Sequence, residues 1–280
     1  MNVVATAKEM QSWALAEKKA GERIALVPTM GALHEGHCSL LREGRKLASK
    51  LVLSIFVNPT QFGPNEDLSK YPSNLEGDLA KAKACGVDTV FLPSSSEIYP
   101  EGYKTSVHVE GFSDFLCGKS RPGHFQGVAT VVLKLFNIVQ PDIALFGQKD
   151  FQQLRVIEQM VQDLNLPVQI IGMPIVREAD GLAMSSRNQY LSPEERKSAL
   201  VLSASLVLAQ KLIEQGVRDP KKISQSVRHL LEESGKIRID YVSLCDPKTL
   251  QELQTLTLPA LLALACFVGS TRLIDNRMLR

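Results

Sequence analysis

The feature that most constrains the fold of this chain is a repeated alternation of two hydrophobic periods. Short apolar runs rich in β-branched residues occur at 24–27, 51–57, 89–92, 142–146 and 168–172. Stretches with helical spacing lie between them, around 38–48, 75–85, 126–139 and 151–163. Parallel strands need a crossover long enough to hold a helix, so strand–helix alternation predicts βαβ units. The expectation is an α/β chain: a Rossmann-like parallel sheet wrapped by helices, with ligands at the carboxyl ends of the strands.

Beyond about Pro174 the texture changes. Ser192-Pro193-Glu194-Glu195 combines a cap residue, proline at the first helical position and glutamate three residues after the cap, which predicts a helix start. That helix should run to about Gln215, with another near 221–233 and strands at 237–244 and 261–269. The expected division is residues 1–175 as a nucleotide- and substrate-binding unit and 176–280 as a smaller α+β unit closing over the site.

Composition excludes some classes of partner. With 32 basic and 30 acidic residues the net charge is +2, which gives no bulk electrostatic argument for nucleic acid or membrane. The five cysteines lack C-x-x-C spacing, as suits free thiols in a reducing compartment. Lys8 and Glu9 interrupt any leader-like pattern, and the longest apolar stretch, 258–268, contains Pro259 and is too short to span a bilayer. A cytoplasmic protein is the expectation.

The densest chemistry follows the first strand, in Pro28-Thr29-Met30-Gly31-Ala32-Leu33-His34-Glu35-Gly36-His37. A helix N-terminus there offers free N–H groups and a positive dipole end to phosphate. Gly36 admits close backbone approach. With ordinary pKa values, roughly a quarter of each histidine would be charged at pH 7, and charge-assisted bonds of about 1.5–3 kcal/mol outweigh about 0.3–1 from the dipole. Zinc is disfavoured, because the histidines are three apart and no third ligand is evident. Two more polar loops follow strands: Asn58-Pro59-Thr60-Gln61-Phe62, and Gly147-Gln148-Lys149-Asp150. Together they imply a single site. Neutral amides at Gln61 and Gln153, beside Phe56 and Phe62, suit a hydroxy acid.

These blocks, with Arg121-Pro122-Gly123-His124-Phe125 and Met184-Ser185-Ser186-Arg187-Asn188, closely resemble the pantothenate synthetase family, within the nucleotidyl-transferase superfamily marked by His-x-Gly-His. The likeness covers nearly the whole chain. Its one departure is Gln148, where many members carry glutamate. The resemblance implies an ATP-dependent ligase joining pantoate to β-alanine through a pantoyl adenylate, a homodimer, and Mg2+ carried with the nucleotide rather than held in a protein cage. It implies catalytic roles for His34, His37, Lys149 and Arg187, with His37 usually assigned as an acid. It implies ATP contacts from Pro28, Thr29, Met30, Gly31, Gly36, Gly147, Gln148, Asp150, Val176, Met184, Ser185 and Ser186. Pantoate would meet Gln61, Gln153, Met30 and Asn58, and β-alanine would meet Gln61. Arg121 and His124 are candidates for the site entrance, and Cys38 and Cys117 read as structural. The alternatives are another nucleotidyltransferase of the superfamily, or a nucleotide-binding protein without catalysis.

Overall fold

The computed structural model describes residues 1–64 and 66–280. Six strands form one parallel sheet: β1 (Asn2–Val4), β2 (Ile24–Thr29), β3 (Lys50–Ile55), β4 (Thr89–Phe91), β5 (Ile143–Gly147) and β6 (Gln169–Met173), in the order β1-β4-β3-β2-β5-β6. Helices α1 (Ala7–Lys19), α2 (Glu35–Leu47), α3 (Leu75–Ala84), α4 (Ser95–Ile98), α5 (Cys117–Ser120), α6 (His124–Val139) and α7 (Phe151–Asp163) connect or cover them.

Both faces of the sheet are buried, which is why its strands are apolar at nearly every position rather than alternating. Ile24 and Leu26 face a core shared with α1, α6 and α7, whereas Ala25 and Val27 face a second core built with α2 and α3. The order of strands reverses between β2 and β5. A crevice opens at such a switch point, outside the carboxyl ends of the strands.

Two N-terminal elements were absent from the sequence reading. β1 has three residues and pairs only with β4 at the sheet edge. α1 buries only Met10 and Ala14 completely, so its apolar stripe is thin.

The C-terminal part stacks α8 (Pro193–Glu214) and α9 (Pro220–Glu233) on an antiparallel sheet of β7 (Ile237–Cys245), β8 (Ala260–Val268) and β9 (Thr271–Leu279). Ser192 caps α8 with the expected box: its hydroxyl accepts from the Glu195 N–H, and the Glu195 carboxylate accepts from the Ser192 N–H. The other sheet face meets Phe112, Phe115, Leu116 and Phe151 of the first part. β9 was not expected. Its Asn276 ties the two parts together, donating to the carbonyls of Gln148 and Lys149, while Asp275 accepts two bonds from the Arg177 guanidinium at 2.7 and 2.9 Å.

No helix among the described residues is long and apolar enough to cross a membrane.

Candidate active site

Four strand ends converge on the crevice. A cavity of about 230 Å3 is lined by Pro28, Thr29, Met30, His34, Gly36 and His37 after β2, and by Asn58 and Gln61 after β3. Gly147, Lys149, Asp150 and Gln153 come from the β5–α7 connection, and Val176, Met184, Ser185, Ser186 and Arg187 from the crossing into the C-terminal part. A second cavity, of about 920 Å3, opens between the two parts and shares Lys149, Asp150, Gln153, Ser185 and Arg187 with the first. The smaller holds the histidines and is the natural seat of the chemistry; the larger adjoins it.

The histidines depart from the sequence expectation in their charge. His34 caps α2, its Nδ1 accepting from the Gly36 N–H at 3.1 Å, while His37 Nδ1 accepts from the His34 N–H at 3.3 Å. The rings lie 4.1 Å apart. Burial pushes the His34 pKa down to about 4, helped by Lys149. Burial, then the neighbouring His34, pushes His37 down to about 3. Neither is therefore partly cationic at pH 7. Because each Nδ1 is an acceptor, each neutral ring carries its proton on Nε2. The pair is a set of fixed neutral donors, and the positive charge must come from elsewhere.

Lys149 supplies it. Its ammonium lies 3.8 Å from the Asp150 carboxylate, a loose contact. The loop carrying it is anchored from β9, where the Asn276 amide donates to the carbonyls of Gln148 and Lys149, both at 2.9 Å. Arg187 also lines the cavity, but its guanidinium is already occupied: Nε and Nη2 donate to Asp67 at 2.9 and 2.7 Å.

Gln61 is held from three sides. Asn58 donates to its side-chain oxygen at 3.0 Å, which turns the amide nitrogen toward Met30 and the cavity. His124 Nδ1 donates to its carbonyl at 2.8 Å, and Arg121 donates to His124 Nε2 at 3.0 Å. Burial, then Arg121, depresses His124 to about 4, so it too is neutral. Arg121 itself is paired with Glu66. Arg121 and His124 thus brace Gln61, although both also line the cavity. Asn58 is buried, and its amide donates to Gln61 and Gly127 while its oxygen accepts from Thr60 and Tyr99. Its side chain is thus engaged in holding Gln61 and its neighbours, while Asn58 also lines the cavity in which pantoate contact is expected.

Two expected nucleotide contacts do not line the cavity. Gly31 sits in the left-handed region at φ +84, where a Cβ would lie 3.1 Å from Asp78. The Gln148 amide turns away to donate to the Gly172 carbonyl at 3.2 Å. Two residues with evident site roles were missed. Tyr71 lines the cavity and shares a hydrogen bond with Ser186; Asn276 anchors the lysine loop. Tyr71 carries no local motif, and Asn276 lies on the unexpected strand.

The comparisons with known proteins extend over the same length. The family profile described as pantoate-beta-alanine ligase matches residues 2–278. The pantothenate synthetase of Syntrophus aciditrophicus is 56% identical over 278 residues, covering 99% of this chain and 97% of that one. The crystal structure of pantothenate synthetase from Thermus thermophilus superposes with a TM-score of 0.94 at 44% identity, covering 99% of each chain. A pantoate-beta-alanine ligase from Francisella tularensis, complexed with beta-gamma ATP and beta-alanine, does so at 0.81 and 33% identity, covering 99% and 97%. With fold, sequence and the β2–α2 motif in agreement over the whole length, this chain belongs to the pantoate–β-alanine ligase family.

Proposed function

We propose that the chain condenses pantoate with β-alanine, driven by ATP, through an enzyme-bound pantoyl adenylate. The observation that carries this reading is the convergence of fixed imidazole donors, a lysine cation and two neutral glutamine amides on one crevice at the switch point of the sheet. The relative solved with beta-gamma ATP and beta-alanine supports it.

The phosphates lie beside the N-terminus of α2, where the helix dipole favours anions and His34 and His37 present their Nε2–H donors. A pantoate carboxylate oxygen attacks the α-phosphorus, the bond to the β-phosphate oxygen breaks, and pyrophosphate leaves. The charge that develops on the α-phosphate meets the Nε2–H donors of His34 and His37, with Lys149 neutralising the departing phosphates. A histidine titrating near 3 is a poor general acid at neutral pH, so His37 acts here as a donor. Arg187, oriented by Asp67, adds its charge to the same wall. Gln61 offers its amide nitrogen to the pantoate oxygens, and Gln153 lines the same cavity. The β-alanine amine then attacks the acyl carbon, the acyl–oxygen bond to AMP breaks, and the amine proton goes to solvent. Positioning and exclusion of water protect the mixed anhydride.

A magnesium ion bound with the nucleotide would supply neutralisation of phosphate charge. Asp150, half-exposed and lining both cavities, is the carboxylate that fits it, in keeping with a cation held by one or two carboxylates, phosphates and water. We further propose a division at 175/176, since the C-terminal core begins at Leu182; a homodimer, testable by sedimentation; and a cytoplasmic setting, to which five free cysteines are suited.

Incubation with Mg-ATP, pantoate and β-alanine should yield AMP and pantothenate in equal amounts. Product formation that ignores pantoate would overturn the assignment.

A further inference from the structure

Four consecutive backbone N–H groups in the β2–α2 connection are satisfied by side chains rather than by a sheet or helix ladder. Gly31 donates to Thr29 Oγ1 at 3.2 Å, Ala32 to Asp78 Oδ2 at 2.8 Å, Leu33 to Asp78 Oδ1 at 2.7 Å, and His34 to His37 Nδ1 at 3.3 Å. The two central donors share one carboxylate. Asp78 belongs to the first turn of α3, is 2% exposed, and lines neither cavity. The bend it clasps holds consecutive left-handed residues, Gly31 at φ +84 and Ala32 at φ +50. A residue with a Cβ resists that region, so Ala32 stays there only while something holds it.

We infer that Asp78 is a positioning residue for the reaction: its carboxylate fixes the bend that delivers Met30 and His34 to the crevice. An aspartate suits the task because both oxygens accept. In asparagine one end of the group becomes a donor facing a backbone N–H, and the clasp is lost. Without it the bend relaxes, His34 loses its capping geometry, and the Nε2–H donors shift relative to the phosphate. Displacements of about 1 Å at a reacting centre cost as much as a hundredfold in rate. Gln61 stands on a different connection, after β3, and is braced by Asn58 and His124. Met30 is the one link between the bend and Gln61, so pantoate binding depends on Asp78 less than the imidazole donors do.

This inference rests on the ligase reading, and the test separates the two. Adenylate formation by the wild type tests the reading; the imidazole titrations tests the bend whatever the reaction proves to be. Asp78→Asn should slow pantoate-dependent pyrophosphate release roughly ten- to hundredfold, a larger change than its effect on pantoate affinity. In nuclear magnetic resonance spectra the His34 midpoint should rise from about 4 toward its ordinary 6.5. Adding Ala32→Gly, which removes the resistance to the left-handed bend, should recover part of the rate. If Asp78→Asn alone fails to fold, the double variant compared with Ala32→Gly carries the same test, and it should be the slower of the two. A folded variant with wild-type rate and an unmoved His34 titration would overturn the inference, since a carboxylate that merely stabilises the fold alters neither.

Discussion

At the scale of single residues the site works through donors whose orientation is set before any ligand arrives. His37 shows this best. Its Nδ1 accepts from a backbone N–H, so its proton is committed to Nε2. Hydrogen bonds to a charged partner contribute about 1.5–3 kcal/mol each. His37→Ala should therefore slow adenylation roughly ten- to hundredfold, while His37→Gln, which retains a nitrogen donor at similar reach, should lose less. Single-turnover adenylate formation measures both. Gln61→Glu should raise the pantoate KM by at least about tenfold, because a carboxylate replaces a donor opposite the substrate's own carboxylate. A normal KM would remove Gln61 from the pantoate site. The residue types in these roles were legible in the sequence because they sit at strand ends in compact motifs. Their states were not: the depressed titrations of the histidines and the saturation of Asn58 depend on burial and on partners distant in sequence, such as Lys149 for His34 and Gly127 for Asn58.

Elements act by holding one another. α6 presses on the 3₁₀ turn Pro59–Gln61 so closely that a Cβ on Gly127 would come within 2.6 Å of the Thr60 carbonyl oxygen. Gly127→Ala must displace the backbone that carries Gln61, so thermal stability and pantoate affinity should fall together, the former by about 1–3 kcal/mol. The buried histidines at the starts of α2 and α6 make a second prediction. His34, His37 and His124 titrate near 4, 3 and 4 in the folded chain, against about 6.5 when unfolded. Below pH 6.5 the unfolded chain takes up protons that the folded chain refuses, so stability falls as pH drops from about 6.5 toward 4. Denaturant unfolding should show this loss, and His37→Gln should flatten it. The long central helices and buried strands were readable because their periodicity is strong. β1, α1 and β9 were not: the first is a short edge strand, the second has a thin apolar stripe, and the third has its alternation broken by the consecutive polar residues Asp275, Asn276 and Arg277.

Across the whole molecule, β9 joins the C-terminal sheet to the catalytic crevice. Asn276 holds the Lys149 loop, and its neighbour Asp275 holds the start of the crossing segment through Arg177. The small sheet therefore shapes the phosphate-facing wall although it contributes few residues to it. Asn276→Ala leaves two carbonyls without these donors, at about 1–3 kcal/mol, and should lower kcat for adenylation more than it raises the KM for pantoate. The fold class was legible from alternation alone; the way the second part grips the first depends on a strand whose pattern did not announce it.

The central claim is that this crevice activates a carboxylate by adenylation before any amine is needed. Rapid-quench measurement of pyrophosphate from Mg-ATP and pantoate, without β-alanine, tests it most directly. The account predicts a burst approaching one equivalent per site, becoming sustained turnover with release of AMP when β-alanine is added. Release that does not depend on pantoate, or none until β-alanine is present, would contradict it.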